Sequence, residues 1–147
     1  MMAAPQSYKN HTRFDPLFHF TIVPLLLVNF GFSIAYCVRH YHQHVHLAPW
    51  AIVMSFVAIL MAAMTRSYSL KVQDRVICLE EKLRIASLVS VAEQAELESL
   101  TVRQYVALRF ASNVELPALA RRAVRENLNS KAIKQAIAAW RADDLRV

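Results

Sequence analysis

Two continuous apolar runs dominate the first half of the chain, and a periodic pattern replaces them in the second. The first run, LFHFTIVPLLLVNFGFSIAYCV, extends from Leu17 to Val38, and the second, AIVMSFVAILMAAMT, from Ala51 to Thr65. Crossing the hydrocarbon layer takes about 20 helical residues, so the pair predicts a transmembrane helical hairpin over 16–66 with a polar turn at 39–48. Asp15 before Pro16 reads as a helix start, because the carboxylate can accept from free backbone N–H groups and proline loses nothing at the first position. Pro49 marks the second start in the same way, beside Trp50 as an interfacial aromatic.

Past Arg66 the pattern becomes amphipathic. Val72, Val76, Leu79, Leu83 and Ala86 recur at 4-3-4-3 spacing, flanked by Lys71, Asp74, Arg75, Glu80, Glu81, Lys82 and Arg84. That is one narrow apolar stripe on a helix. No breaker falls between Pro49 and about Leu88, so the second span is expected to run on as one long helix. The stripe must be covered by the chain's own later helices, by a second copy in a coiled coil, or by another subunit.

Three further helices are predicted from their caps. Thr101 with Gln104 forms a capping box before VRQYVALRFA. Asn113 is the expected cap of VELPALARRAVRE, since it leaves Pro117 among the first four positions, where no N–H is needed; the competing Ser112 with Glu115 would place Pro117 one position too deep. Asn129 or Ser130 opens KAIKQAIAAWRADD, whose inner face is Ile133, Ala136, Ile137 and Trp140. The fold class is therefore all-α: a hairpin whose second helix extends into a small cytoplasmic helical bundle. Residues 1–15 form an N-terminal arm, and 67–147 the juxtamembrane helix and bundle.

Composition narrows the reading. The chain has 147 residues, 56% of them hydrophobic, and a single glycine, Gly31, which excludes glycine-rich phosphate loops. The net charge is +6. Lys9 and Arg13 precede the first span and Arg66, Lys71 and Arg75 follow the second, whereas the turn carries only Arg39. The positive-inside rule then puts both termini in the cytoplasm. No small-residue cleavage site follows the first run, so it is expected to stay attached. Cys37 and Cys78 fall on opposite faces in this topology and cannot pair within one chain.

Candidate chemistry is sparse. No zinc-protease helix, paired CxxC, nucleophile elbow or Ser/Cys with a base is present, and no catalytic residue is assigned. Asn29, within the first span, can bond across to the second helix or form part of a subunit interface. His19 is either an interfacial anchor or an axial ligand for a tetrapyrrole or metal. His40, His42, His44 and His46 alternate through the turn and would suit Zn or Cu, although no carboxylate or thiol stands beside them. The acids Glu80, Glu81, Glu93, Glu96, Glu98, Asp143 and Asp144 read as solvated helix faces. Arg66, Lys71, Arg121, Arg122 and Arg125 are the candidates for anionic lipid headgroups, with Lys131 and Lys134 nearby. Nucleic acid is disfavoured, since no aromatics interleave the basic residues.

Several local motifs together resemble a known family. They are Asn10-His11-Thr12-Arg13 with Pro16-Leu17-Phe18-His19-Phe20; Val72-Gln73-Asp74-Arg75-Val76 with Leu79-Glu80-Glu81-Lys82-Leu83-Arg84; and Gln104 with Ala107-Leu108-Arg109-Phe110-Ala111-Ser112 and Glu115-Leu116-Pro117. The ending Trp140-Arg141-Ala142-Asp143 to Arg146-Val147 completes the set. The chain is similar, over nearly its whole length, to a bacterial family of short two-span integral membrane proteins of unknown function. The resemblance implies a bacterial inner-membrane protein with a helical cytoplasmic tail and points to His19, Arg75, Glu80, Glu81, Arg84, Arg109 and Trp140; the turn histidines are outside its pattern, and it supplies no activity. The function expected is a non-catalytic accessory subunit or scaffold of a larger membrane assembly or homo-oligomer. Val72, Val76, Leu79, Leu83 and Asn29 would form the interface, and the partners would be lipids, other subunits or self. The alternative is a cofactor- or metal-binding subunit of an electron-transfer or photosynthetic complex.

Overall fold

Asp15 opens the first helical run as its sequence predicts. Its Oδ1 accepts the Phe18 N–H at 3.2 Å, and its carbonyl accepts the His19 N–H at 3.0 Å. The computed structural model describes residues 7–8, 15–43 and 46–143. Most of the expected N-terminal arm, together with His44, Asp144 and the Arg146-Val147 ending, lies outside the described residues.

A π-helical turn, Phe18–Ile22, leads directly into α1, Val23–His40. The wide turn falls directly before Pro24. Proline has no N–H for the carbonyl four residues back and its ring crowds that carbonyl, so the backbone there loosens to the five-residue spacing, with the Val23 N–H bonding the Phe18 carbonyl. The second long helix, α2, runs unbroken from Leu47 to Leu88, 42 residues. Both helices are long and apolar enough to cross a membrane. The connection is shorter than the expected 39–48: α1 carries Arg39 and His40, and α2 begins two residues before Pro49. Proline is tolerated there because the first four N–H groups of a helix have no internal partner.

The chain divides within α2, at Leu70/Lys71, into two units. In the first, Phe30 and Phe56 bring α1 and α2 together with ring centroids 6.2 Å apart.

The second unit packs four short helices with the end of α2: α3 (Val91–Leu97), α4 (Val102–Leu108), α5 (Leu116–Arg125) and α6 (Ser130–Ala136). Their core is built on Ile85, Leu97, Tyr105, Leu108, Phe110, Leu116 and Ile133, the last four being essentially inaccessible. Helices this short are marginal alone, so the core and the caps hold them together. Thr101 and Gln104 form the expected capping box, and Asn129 Oδ1 accepts from the Lys131 and Ala132 N–H groups. At the end of α5, Asn127 takes φ 47, the Leu128 N–H reaches the Ala123 carbonyl and the Asn127 N–H that of Val124. This is a Schellman close with asparagine in the left-handed position.

Three sequence expectations are corrected. α3 was not foreseen, although Ser90 and Glu93 make a full capping box before it. At α5, Ser112 and Glu115 exchange the reciprocal bonds, whereas Asn113 Oδ1 accepts from Arg84. Pro117 cannot donate to the Asn113 carbonyl, so 113–115 form a separate turn and α5 starts at Leu116. The last helix stops at Ala136 instead of continuing through Trp140. The Glu115 carboxylate takes the Ala138 and Ala139 N–H groups, and Trp140 instead forms an isolated bridge with Ala111. Backbone bonds Arg141 N–H to Phe110 (2.7 Å) and Ser112 N–H to Ala139 (3.1 Å) flank it.

Candidate functional site

The second half of α2 has two faces with different fates. Ile77, Glu81 and Ile85 are buried. On the reverse, Val72, Val76, Leu79 and Leu83 stay 61%, 49%, 60% and 66% exposed, and Ala86 is exposed as well. The chain's later helices do not cover this stripe, which removes the first of the three partners considered for it. Four large aliphatic side chains stand in one exposed row; scattered exposed apolar residues are ordinary, but contiguous ones are not. Arg75 and Glu80 border the row and are exposed.

Behind the stripe lies a polar lock. Glu81 is only 4% exposed. Arg84 donates to Glu81 Oε2 at 3.0 Å, to the Ala111 carbonyl at 2.6 Å and to Asn113 Oδ1 at 2.8 Å, while Arg141 approaches Glu81 Oε1 at 3.8 Å. Burial pushes the Glu81 carboxyl above the usual range, and the Arg84 guanidinium pulls against that shift. Glu81 is therefore no member of a solvated face, a correction to the sequence reading; Glu80 is. Nearby, Arg109 Nε sits 2.9 Å from the Asp143 carboxylate, close enough for an ion pair though not aligned as a hydrogen bond, and its guanidinium lies 4.4 Å from the Phe110 ring centroid. Asp143 thus also leaves the solvated group.

The basic residues of α5 are partly engaged within the chain. Arg121 pairs with Glu93, whose carboxyl is held below its usual range first by the Ser90 backbone N–H and then by the Ser90 hydroxyl. Arg122 pairs with Glu126 at 3.0 Å. Arg125 is exposed. Arg66 lies 4.0 Å from Asp15 and 5.5 Å from the Phe18 ring centroid, at the edge of an apolar groove of about 290 Å³ between Leu26, Leu27, Ile59 and Ala62. Lys71 is exposed.

Asn29 meets α2 within the chain. Its Nδ2 donates to Ser55 Oγ at 3.0 Å, and Ser33 Oγ lies 2.8 Å from the same oxygen. The two serines were not singled out from sequence; their signal was a hydroxyl at the same helical depth as the amide. His19 belongs to the π-helical turn, its ring edge-on to Phe18 at 5.2 Å. Of the described turn histidines, His40 closes α1, approaching Gln43 at 3.2 Å with its ring tilted against Tyr36 at 4.8 Å, His42 lies in the turn and His46 just before α2. Among the described residues no three His, Cys, Asp or Glu side chains converge as a metal site. Cys37 and Cys78 are free thiols.

Comparison with curated proteins finds no match, and neither does comparison with solved structures. A family model does match, over residues 2–147, and with it a chain built on a long helix with an uncovered apolar row is placed: it belongs to the Family of unknown function (DUF6526).

Proposed function

We propose that the protein is a non-catalytic, small integral membrane protein of the bacterial inner membrane, acting as an accessory subunit or scaffold of a larger assembly or homo-oligomer. In this reading α1 and the first part of α2 form a transmembrane hairpin, both termini are cytoplasmic, and α3–α6 form a cytoplasmic bundle on the end of α2. The length of Phe18–His40, 23 residues, supports a crossing, because at 1.5 Å per residue it spans about 35 Å against a hydrocarbon layer of about 30 Å. The Asn29–Ser33–Ser55 cluster supports it too, since polar side chains in lipid are retained where they satisfy one another. Arg66 and Lys71 would then stand at headgroup depth.

The observation that carries the interaction role is the exposed row Val72, Val76, Leu79 and Leu83. Burying one such side chain is worth about 1.5–3 kcal/mol, which favours covering the row with protein. Val76→Asp or Leu83→Asp should convert a larger species to a smaller one on a native gel of membrane-extracted full chain. Unchanged migration of the folded variants would contradict the role.

A further inference from the structure

We propose that the partner on the exposed α2 stripe is a second copy of this chain, paired as a parallel, in-register coiled coil. The inference rests on the membrane reading above, because two copies inserted in one membrane present α2 in the same direction.

The spacing assigns the heptad. Val76 and Leu83 take the a positions and Val72, Leu79 and Ala86 the d positions, so knobs of one helix meet holes of the other along the row. The residues of this segment that are buried within the chain, Ile77, Glu81 and Ile85, fall at b, f and c, on the reverse of the helix. Intrachain packing and pairing with a copy therefore use different sides of α2 and do not compete.

Charge selects both the partner and its direction. Arg75 precedes Val76 at a g position and Glu80 follows Leu79 at an e position, five residues later. In a parallel pair the g residue of one helix faces the e residue five places on in its neighbour, so each dimer gains two Arg75–Glu80 contacts. An antiparallel pair sets g against g and e against e, bringing Arg75 to Arg75 and Glu80 to Glu80. Both side chains are exposed, and neither makes an ion pair among the described residues, so both are placed to meet a copy.

Extending the same spacing toward the apolar half reaches Ser69 and Thr65, both small and exposed, and the Ser69 hydroxyl is already bonded to the Thr65 carbonyl at 2.9 Å. Close approach there leaves the Ser69 hydroxyl satisfied. A stripe of two heptads is short for free peptides, which are marginal below about 12–15 residues. Here the helix is already formed within α2, and confinement to one membrane raises the effective concentration.

The test places single cysteines in the full chain, in membranes, on a Cys37→Ser/Cys78→Ser background, and treats them with a short bis-maleimide. Val76→Cys, Leu79→Cys and Leu83→Cys should each give a dimer of the chain, and Asp74→Cys, on the reverse, should not. Arg75→Glu or Glu80→Arg alone should lose most of the Leu79→Cys dimer, and the two together should restore it, a rescue that a misfolded chain cannot give. No dimer at 76, 79 and 83, equal dimer at 74, or no rescue would overturn the pairing. Cross-linking at 76 to a protein of different mass would overturn the second copy and leave the scaffold role standing. Alkaline carbonate extraction of the same membranes separates the layers: release of the chain would overturn the membrane reading and the pairing with it, whereas retention without cross-linking overturns the pairing alone.

Discussion

Arg84 donates to the Ala111 carbonyl at 2.6 Å across 27 residues of sequence. The same guanidinium holds buried Glu81, one turn back on α2. Through this one side chain the outward-facing stripe is registered against the bundle, because fixing Arg84 fixes the rotation of α2 about its axis.

Removing that anchor has a calculable effect. Arg84→Ala leaves the buried Glu81 carboxylate only the more distant Arg141 at 3.8 Å and the Ala111 carbonyl unsatisfied, a loss toward the lower end of the about 3–5 kcal/mol that breaking a buried pair costs. Arg84→Lys recovers only part, since one ammonium cannot reproduce a guanidinium that serves Glu81, Ala111 and Asn113 at once. Thermal unfolding of the detergent-solubilised full chain checks the order: wild type above Arg84→Lys above Arg84→Ala. An Arg84→Ala variant as stable as wild type would deny the lock.

Two acids of the bundle should titrate with opposite signs. The Glu81 carboxyl is raised above 4.5 by burial, so the folded state holds its proton longer than the unfolded chain does. Its contribution to stability is full below the unfolded pKa and declines as pH rises through the folded value. Glu93 is lowered from 4.5 by Ser90 and Arg121, so its contribution is present above the unfolded pKa and is lost as pH falls through the folded one. Unfolding curves from the acid range to neutrality should show Glu81→Gln gaining on wild type as pH rises, and Glu93→Gln gaining as pH falls.

The caps make a further set of expectations. Thr101→Ala and Asn129→Ala each remove a side chain that accepts backbone N–H groups at a helix start, a loss of about 1 kcal/mol apiece. Asn113→Ala should act through Arg84 instead, so a double-mutant cycle with Arg84→Ala should be non-additive, while the cycle of Asn113→Ala with Asn129→Ala should be additive.

These residues also mark where sequence reasoning succeeds. The Thr101 and Asn129 caps were legible because a cap is local: donor and acceptor lie two or three residues apart. Ser90 and Glu93 obey the same spacing and were passed over because Glu93 was grouped with solvated acids. The end of α6 was not legible, since the carboxylate that takes the Ala138 N–H belongs to Glu115, 23 residues earlier. Burial of Glu81 escaped for the same reason: the polar partners that compensate it come from distant segments. The stripe was legible as a spacing, yet which side of α2 the bundle would occupy depended on packing that only the three-dimensional structure supplies.

Phe110 and Trp140, with ring centroids 5.1 Å apart, close the bundle after α6 ends. Phe110→Ala should cost about 3–5 kcal/mol and expose Trp140. In a Trp50→Phe background the remaining tryptophan emission should shift to the red and its quenching by iodide should rise. Unchanged emission with intact stability would show that the Ala111–Trp140 bridge alone holds this end.

The proposed role requires that a membrane-inserted chain offer its Val72–Leu83 row to another protein. Its most direct measurement is extraction of the tagged full chain from its native membrane in mild detergent, followed by native mass determination of the whole particle, for wild type and for Leu83→Asp in parallel. The wild-type particle should contain more than one polypeptide, and the Leu83→Asp particle should be reduced to the single chain. A monomeric wild-type particle, or a Leu83→Asp particle of unchanged mass, would contradict it.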